Sequence, residues 1–300
     1  MKRRALWLAL ALLASVGALA LWQHEALLHQ LKILGRRGHL AFELEGQWVP
    51  VEPEDRRRRV WVEGEGFLDG LSYQRLEPGL ELASVRYRRE PNPAAHMLRV
   101  LRVDPELWRF RLIAAEDLRL RDISEHAESG GVPVAVNASY FSEEGPVGLL
   151  RIQGQDRVPQ GTVWAAHVLI DEAGRLRVEN EKEAELEGAF EGFQGFPAIM
   201  SEGQTYPYMR YGGRGFPVHE LARRTAVCTT GDHVLIVVTD TLANGLTLNE
   251  LATVMGGLGC LDAMGLDGGS STALSVATAE ERVYVPARDG VPVALGVSAR

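Results

Sequence analysis

The feature that most narrows the fold is a succession of short apolar or alternating runs, each closed by a turn of glycine, aspartate or proline. Residues 96–103 carry alternating stretches and stop at Asp104-Pro105, and residues 108–114 alternate again, which predicts the partner strand. Residues 132–136 read as a buried strand that delivers Asn137. Two hairpins follow: 163–170 with 175–178 around Asp171-Glu172-Ala173-Gly174, and 226–230 with 233–239 around Gly231-Asp232. The last strands are 281–285 and 291–297. Helical patterns interrupt this series at 122–128, ending at Gly130-Gly131, and at 248–258. The second is entered through Thr247 and Glu250 at capping-box spacing and ended by Gly256, Gly257 and Gly259. This order predicts an α+β fold, a largely antiparallel β-sheet core with a few flanking helices.

The N-terminus bears on the compartment. Lys2, Arg3 and Arg4 precede an uncharged run over 5–22, the pattern of an export signal. Ala18-Leu19-Ala20 has the form of a cleavage site, so a cleaved signal and an uncleaved anchor both fit. Trp22 and the amphipathic stretch 27–34 favour the anchor, which would make the membrane a partner through residues 1–22. Either way the bulk of the chain is expected outside the cytoplasm, periplasmic or at the cell surface. Residues 23–78 read as a lead-in, with a solvated charged turn at 54–59 and a short strand opening at 61, and residues 79–300 as the functional domain. The formal charge of −8 argues against nucleic acid as a partner. Oligomeric state is not legible in the sequence.

Two cysteines, Cys228 and Cys260, lie in apolar segments with no metal-type spacing and no basic neighbour. An exported chain permits a disulfide between them, but two unpaired buried thiols is the expected reading. Scattered histidines exclude a zinc-protease or nucleophile-elbow motif, and the acidic residues near 262–272 lack the alternation of a calcium loop. No metal and no cofactor is expected.

Chemistry concentrates at Gly265-Leu266-Asp267-Gly268-Gly269-Ser270-Ser271-Thr272, where an apolar run ends in a carboxylate, two glycines and three hydroxyls. Such a turn brings main-chain N–H groups and hydroxyls around one carboxylate, a cradle for an oxygen-rich anion. Asp-Gly is also a common tight-turn signal, so a hairpin explains the motif alone about as well. On the residues themselves the reading stops at an oxyanion-binding loop with nearby carboxylates.

Three further motifs accompany it: Val134-Ala135-Val136-Asn137-Ala138-Ser139-Tyr140-Phe141, Arg223-Arg224-Thr225-Ala226-Val227, and Gly245-Leu246-Thr247-Leu248-Asn249-Glu250-Leu251-Ala252. In this order and spacing the four resemble the phosphodiester glycosidase family, from about Gly79 to the last strand. The resemblance implies an exported hydrolase that removes a sugar, N-acetylglucosamine-like, from a phosphodiester in envelope or extracellular polysaccharide. It marks Asp267 and Glu250 as the catalytic carboxylates, since glycoside hydrolysis ordinarily takes two. Asp240, at the end of a predicted strand, is a third candidate. Arg224 and the loop Gly268, Gly269, Ser270, Ser271 and Thr272 are expected to hold the phosphate, and Asn137 to orient the sugar.

Each residue also has a plainer reading. Glu250 serves equally as a helix cap, Asp267 as an Asx-turn carboxylate, and Phe141 as a core aromatic. A low pKa for Asp267 and a raised one for its acid partner is the expected division. One departure stands out: the family often has Asn where this chain has Gly265, which bears on sugar preference or on turnover. Two rival functions follow, a non-catalytic carbohydrate-binding envelope protein and a glycosidase of uncharged glycans.

Overall fold

The computed structural model describes residues 39–51, 68, 71–161, 166–179, 186–211, 218–241 and 245–300. The expected export segment at 1–22, the amphipathic stretch at 27–34, the charged turn at 54–59 and the strand opening at 61 lie outside the described residues. Among the described residues no helix is long and apolar enough to cross a membrane.

Three antiparallel sheets dominate. The widest has ten strands, in the order Gln204–Thr205, Ala198–Ser201, Asp262–Gly265, Thr225–Thr229, Val234–Asp240, Ala95–Val103, Leu80–Glu90, His39–Leu44 and Gln47–Val51, with Gln74–Glu77 also paired to Leu80–Glu90. A five-stranded sheet runs Arg282–Val285, Leu274–Ala277, Val134–Asn137, Val293–Ala299 and Trp108–Ala114. Another runs Gln155–Val158, Leu150–Ile152, Glu191–Gly195, Ala166–Ile170 and Leu176–Glu179. The fold is thus more β-dominated than α+β conveys, with helices α1 (Ile123–Gly130), α2 (Pro207–Tyr211) and α3 (Leu248–Gly257) among the described residues.

Period-two alternation explains the layering. In Val234–Asp240 the side chains of Val234, Ile236 and Val238 enter the core shared with the two smaller sheets. Leu235 and Val237 enter the opposite core, against α3 through Leu251, Val254 and Met255. A strand buried on both faces reads as a continuous apolar run, as this one does. As the sequence predicts, Gly131 ends α1 in the left-handed region and Thr247 and Glu250 form a reciprocal capping box on α3; Asp122, read as the first helical residue, is instead the N-cap of α1, accepting from Ser124 N.

Both predicted hairpins pair as expected. Three findings differ from the sequence reading. Trp108–Ala114 does not partner Ala95–Val103; it pairs with Val293–Ala299 in the other sheet, while Ala95–Val103 lies between Leu80–Glu90 and Val234–Asp240. Leu101 and Val103 share one core with Trp108, Phe110 and Leu112 but enter it from a different sheet, so the turn at 104–107 carries the chain from one layer to the next instead of closing a hairpin. Within the expected lead-in, the hairpin 39–51 extends the widest sheet by pairing with Leu80–Glu90. Finally, Cys228 and Cys260 are not free thiols but form a disulfide, with Cα atoms 5.8 Å apart. Both are buried, so their apolar flanks fit a disulfide as well as they fit free thiols.

Candidate active site

Four strand ends meet at one edge of the stacked sheets: the start of Thr225–Thr229 and the ends of Val234–Asp240, Asp262–Gly265 and Val134–Asn137. The backbone is stitched there across both sheets. Leu266 N donates to Thr225 O at 2.9 Å, Asp267 N to Ala138 O at 3.2 Å, and Ala138 N to Val293 O at 3.1 Å. Asp267 therefore sits on the seam between the widest sheet and its smaller neighbour.

Asn137 is the peg of that seam. It is fully buried, its Nδ2 donating to Asp267 O at 2.6 Å. Its Oδ1 accepts from Thr225 Oγ1 at 2.8 Å and from Ala273 N at 3.0 Å. The predicted role of Asn137 in orienting a sugar does not fit this placement: the amide lies beneath the loop and braces it. Tyr140 does the same from the side, its hydroxyl donating to Phe196 O at 2.5 Å and Leu266 O at 3.2 Å. Phe141 packs on the small core around α1, the plainer of its two readings.

The loop after Asp267 is tethered from several directions. Gly269 N donates to Arg223 O at 2.8 Å, and Arg223 Nη2 donates to Thr272 O at 2.8 Å and Pro286 O at 3.0 Å. Arg288 N donates to Ser270 O at 2.7 Å. Gly268 is required by proximity, since a Cβ would stand 2.9 Å from Arg223 O, and Gly269 by its φ of +63°. Ser270 is exposed, whereas Ser271 and Thr272 are buried. Among the described residues Thr272 Oγ1 and Ser139 Oγ have no hydrogen-bond partner.

Asp267 is half-buried, and desolvation pushes its pKa up to about 6, outweighing the bonds from the Ser271 side chain and from Gly268 N. This reverses the expected low value. A lone sequence cannot show how much protein covers a carboxyl, and here burial exceeds what its two donors return.

Glu250 is not a free carboxylate. Arg89 grips it with Nη1 to Oε1 at 2.5 Å and Nη2 to Oε2 at 2.8 Å, and Oε2 also accepts from Thr247 N at 2.8 Å. Arg89 is itself buried and reaches Gly245 O at 3.4 Å. Gly245 packs on the 222–223 backbone so closely that a Cβ would lie 1.8 Å from Ala222 O. The predicted motif residue thus lets one segment lie on another.

Arg224 lies between these clusters. Its Nε donates to Leu246 O at 2.9 Å and its Nη2 to Glu220 O at 2.7 Å. It is half-buried with carbonyl partners and, among the described residues, no ion pair. Burial lowers its pKa from the ordinary arginine value, yet the guanidinium stays a cation at neutral pH. Its charge acts on Tyr140, as does that of Asp267, and the 266–269 backbone runs beside 223–225. The third carboxylate, Asp240, is bound by Arg99 through Nε at 3.1 Å and Nη2 at 2.9 Å. Among the described residues no group of three or more His, Cys, Asp or Glu is placed to hold a metal.

Arg89 escaped the sequence reading, although a signal existed. Val85, Tyr87 and Arg89 share the buried phase of Leu80–Glu90, and an arginine on a buried face requires a partner.

The family model for phosphodiester glycosidases matches residues 130–298, more than half of the chain and all four motifs. The chain belongs to the phosphodiester glycosidase family. Solved structures share the fold of this phosphodiester glycosidase at low identity. The zebrafish N-acetylglucosamine-1-phosphodiester alpha-N-acetylglucosaminidase catalytic domain, auto-inhibited by its pro-peptide, superposes with a TM-score of 0.60 at 15% identity, over 77% of this chain and 87% of that one. A hypothetical protein from Synechocystis gives 0.54 at 13% identity, over 77% and 64% of the two chains. A proposed exported protein of Burkholderia pseudomallei gives 0.53 at 12% identity, over 71% and 76%. Comparison with curated protein sequences gives no match. Arg89 lies outside the matched segment, so the family motifs do not reach the residue that holds Glu250.

The departure at Gly265 has a steric cause within this phosphodiester glycosidase. A Cβ there would lie 2.8 Å from Pro197 Cδ and 3.2 Å from Phe196 O, so the 196–197 link occupies the space a side chain would need.

Proposed function

We propose that this chain hydrolyses the bond between an anomeric carbon and a phosphodiester, releasing a free sugar, N-acetylglucosamine-like, and a phosphomonoester. The observation that carries the reading is that the half-buried Arg224 cation, without an ion pair among the described residues, and a carboxyl desolvated to a pKa of about 6, Asp267, both act on Tyr140. A half-buried guanidinium favours an anion, and its Nη1, with no hydrogen bond among the described residues, is the group proposed to donate to phosphate oxygens.

The leaving group fixes what the carboxyl must do. A sugar hydroxyl needs an acid to leave, whereas a phosphomonoester dianion has a conjugate acid of pKa about 6 and departs with electrostatic help alone. Asp267 is therefore the base. Its ionised oxygen takes a proton from water, the water oxygen bonds to the anomeric carbon, and the pair of the breaking C–O bond passes to the phosphate held by Arg224. A base with a pKa near the working pH is well matched to this task. One titrating carboxyl suffices, and Glu250 acts as a positioning residue that anchors Arg89, Gly245 and the start of α3. The loop 268–272 supports Asp267 and lines the phosphate side.

An envelope or extracellular polysaccharide is the proposed natural substrate, met after export. The basic-then-apolar N-terminus supports export, and so does a buried disulfide, which forms in oxidising compartments. The test is release of free N-acetylglucosamine from a synthetic N-acetylglucosamine-1-phosphodiester by the wild type, Asp267→Asn and Arg224→Ala. Release by the wild type alone supports the reading. Hydrolysis by Arg224→Ala at near wild-type rate would assign an uncharged glycan instead, and saturable binding without release would assign a binding protein.

A further inference from the structure

His39, the first described residue, enters the fold at the end of the widest sheet that carries the candidate site. It pairs with Glu90, and Leu40 pairs with Arg89, the residue that grips Glu250. At the same end Arg224 precedes the strand Thr225–Thr229 and Asp267 follows the strand Asp262–Gly265. Three strands separate His39–Leu44 from Thr225–Thr229, so the entry point lies on the order of 20 Å across the sheet from Arg224. The far end of the sheet is more distant. Leu80–Glu90 has 11 residues, a run of about 35 Å.

The two ends differ in charge. The far turns of this sheet, at 77–79, 104–107, 202–203 and 230–233, with the start of Asp262–Gly265, hold Glu77, Asp104, Glu106, Glu202, Asp232 and Asp262 and no lysine or arginine. The site end mixes both signs. Arg88, Arg89 and Arg99 pair there with Glu90, Glu250 and Asp240, and Arg223 and Arg224 have no ion pair among the described residues. The hairpin tip beside His39 is Pro91-Asn92-Pro93-Ala94, exposed and uncharged. An anionic lipid surface repels the acidic end over a Debye length of about 8 Å and has no such effect on the other.

The N-terminal sequence adds a constraint. Residues 5–22 are uncharged and follow Lys2, Arg3 and Arg4, a run at the lower limit for spanning a bilayer with its cationic flank in the cytoplasm. Only residues 23–38 join that run to His39, a reach of about 55 Å when fully extended. A slack tether brings the site end to the bilayer. Presenting the acidic end would take the tether about 35 Å further along the fold, against repulsion.

We infer that residues 1–22 are retained as an anchor and that the site end of the widest sheet faces the bilayer holding them. The envelope phosphodiester it reaches is then one whose second ester is a lipid of that membrane. The substrate rests on the proposed hydrolysis; the orientation does not.

The test uses the full chain in vesicles of phosphatidylethanolamine and phosphatidylglycerol that contain headgroup-spin-labelled lipid. A fluorophore is attached at Ala94→Cys, exposed at the site end, or at Leu107→Cys, 48% exposed at the far end. Quenching at Ala94→Cys is expected to exceed that at Leu107→Cys several-fold. Equal quenching, stronger quenching at Leu107→Cys, or recovery of the chain in the aqueous phase would overturn the inference. No substrate enters this measurement, so expected quenching without any hydrolysis would remove the proposed reaction and leave the orientation standing. The substrate is tested with N-acetylglucosamine-1-phosphodiesters of a dialkylglycerol and of methanol. The lipid ester is expected to be cleaved about tenfold faster when it shares vesicles with the chain than when it sits in separate ones, through its effective concentration. Cleavage of the methyl ester alone, or of the lipid ester equally in both arrangements, would overturn the lipid-borne substrate.

Discussion

The side-chain amide of Asn137 donates to the main-chain oxygen of Asp267 at 2.6 Å, across 130 residues of sequence. The same amide accepts from Thr225 and Ala273, so one buried side chain joins three of the segments that form the site. The position of the titrating carboxyl thus depends on a fully buried residue.

Asn137→Ala would leave Thr225 Oγ1–H and Ala273 N–H buried without their acceptor. Each unsatisfied group costs about 1–3 kcal/mol, so the variant is expected to lose on the order of 2–6 kcal/mol of stability. Urea unfolding measures this. The activity lost should exceed the fraction unfolded, because the Asp267 loop is released in molecules that still fold.

Asp267 sets the pH dependence. With a pKa of about 6, the proposed base is ionised above that value, so kcat/KM should rise with pH through about 6 and then level off. A profile that falls through 6 would make Asp267 an acid. Attack by water also predicts inversion at the anomeric carbon, readable by proton NMR of the first-formed sugar; retention would make Asp267 a nucleophile.

Stability changes in the opposite sense. Because the folded carboxyl binds its proton more tightly than the unfolded one, the chain loses stability as pH rises from about 4 to 6. The upper bound on this loss is about 3 kcal/mol. Asp267→Asn should therefore raise the melting temperature at pH 7.5 and leave it nearly unchanged at pH 4. A lower melting temperature at pH 7.5 would show that the Ser271 and Gly268 bonds outweigh burial.

The Arg89–Glu250 pair is buried and bidentate. Arg89→Ala strands the Glu250 carboxylate, a change that costs about 3–5 kcal/mol at comparable buried pairs. Thr247→Ala removes only one cap bond and should cost about 1 kcal/mol. If the two variants prove equally stable by thermal unfolding, Arg89 does not hold the helix start.

Gly265→Asn, the residue the family often carries here, is expected to destabilise by about 1–3 kcal/mol through overpacking against Pro197. Differential scanning fluorimetry checks this. A stabilised and more active variant would show that the 196–197 link yields readily.

Reduction of Cys228–Cys260 opens a closure 32 residues apart in sequence, worth about 3–4 kcal/mol in the chain-entropy account. Unfolding with and without reductant, beside Cys228→Ala/Cys260→Ala, measures it.

The sequence by itself determined what is local. The stop of α1 at Gly131, the capping box at Thr247 and Glu250, and the hairpin turns at 171–174 and 231–232 follow from cap and turn chemistry, which act over a few residues. The four motifs likewise marked the segments that converge at the site, and the family match confirms the family they point to. Tertiary structure decided which strand Trp108–Ala114 joins, that the two cysteines are bonded, and that Asn137 turns inward. It also decided that Glu250 is held by Arg89, 161 residues away, and that Asp267 is raised rather than lowered in pKa. Each of these depends on what covers a group from a distant part of the chain. Desolvation and pairing are properties of the folded neighbourhood, and no spacing along the sequence encodes them.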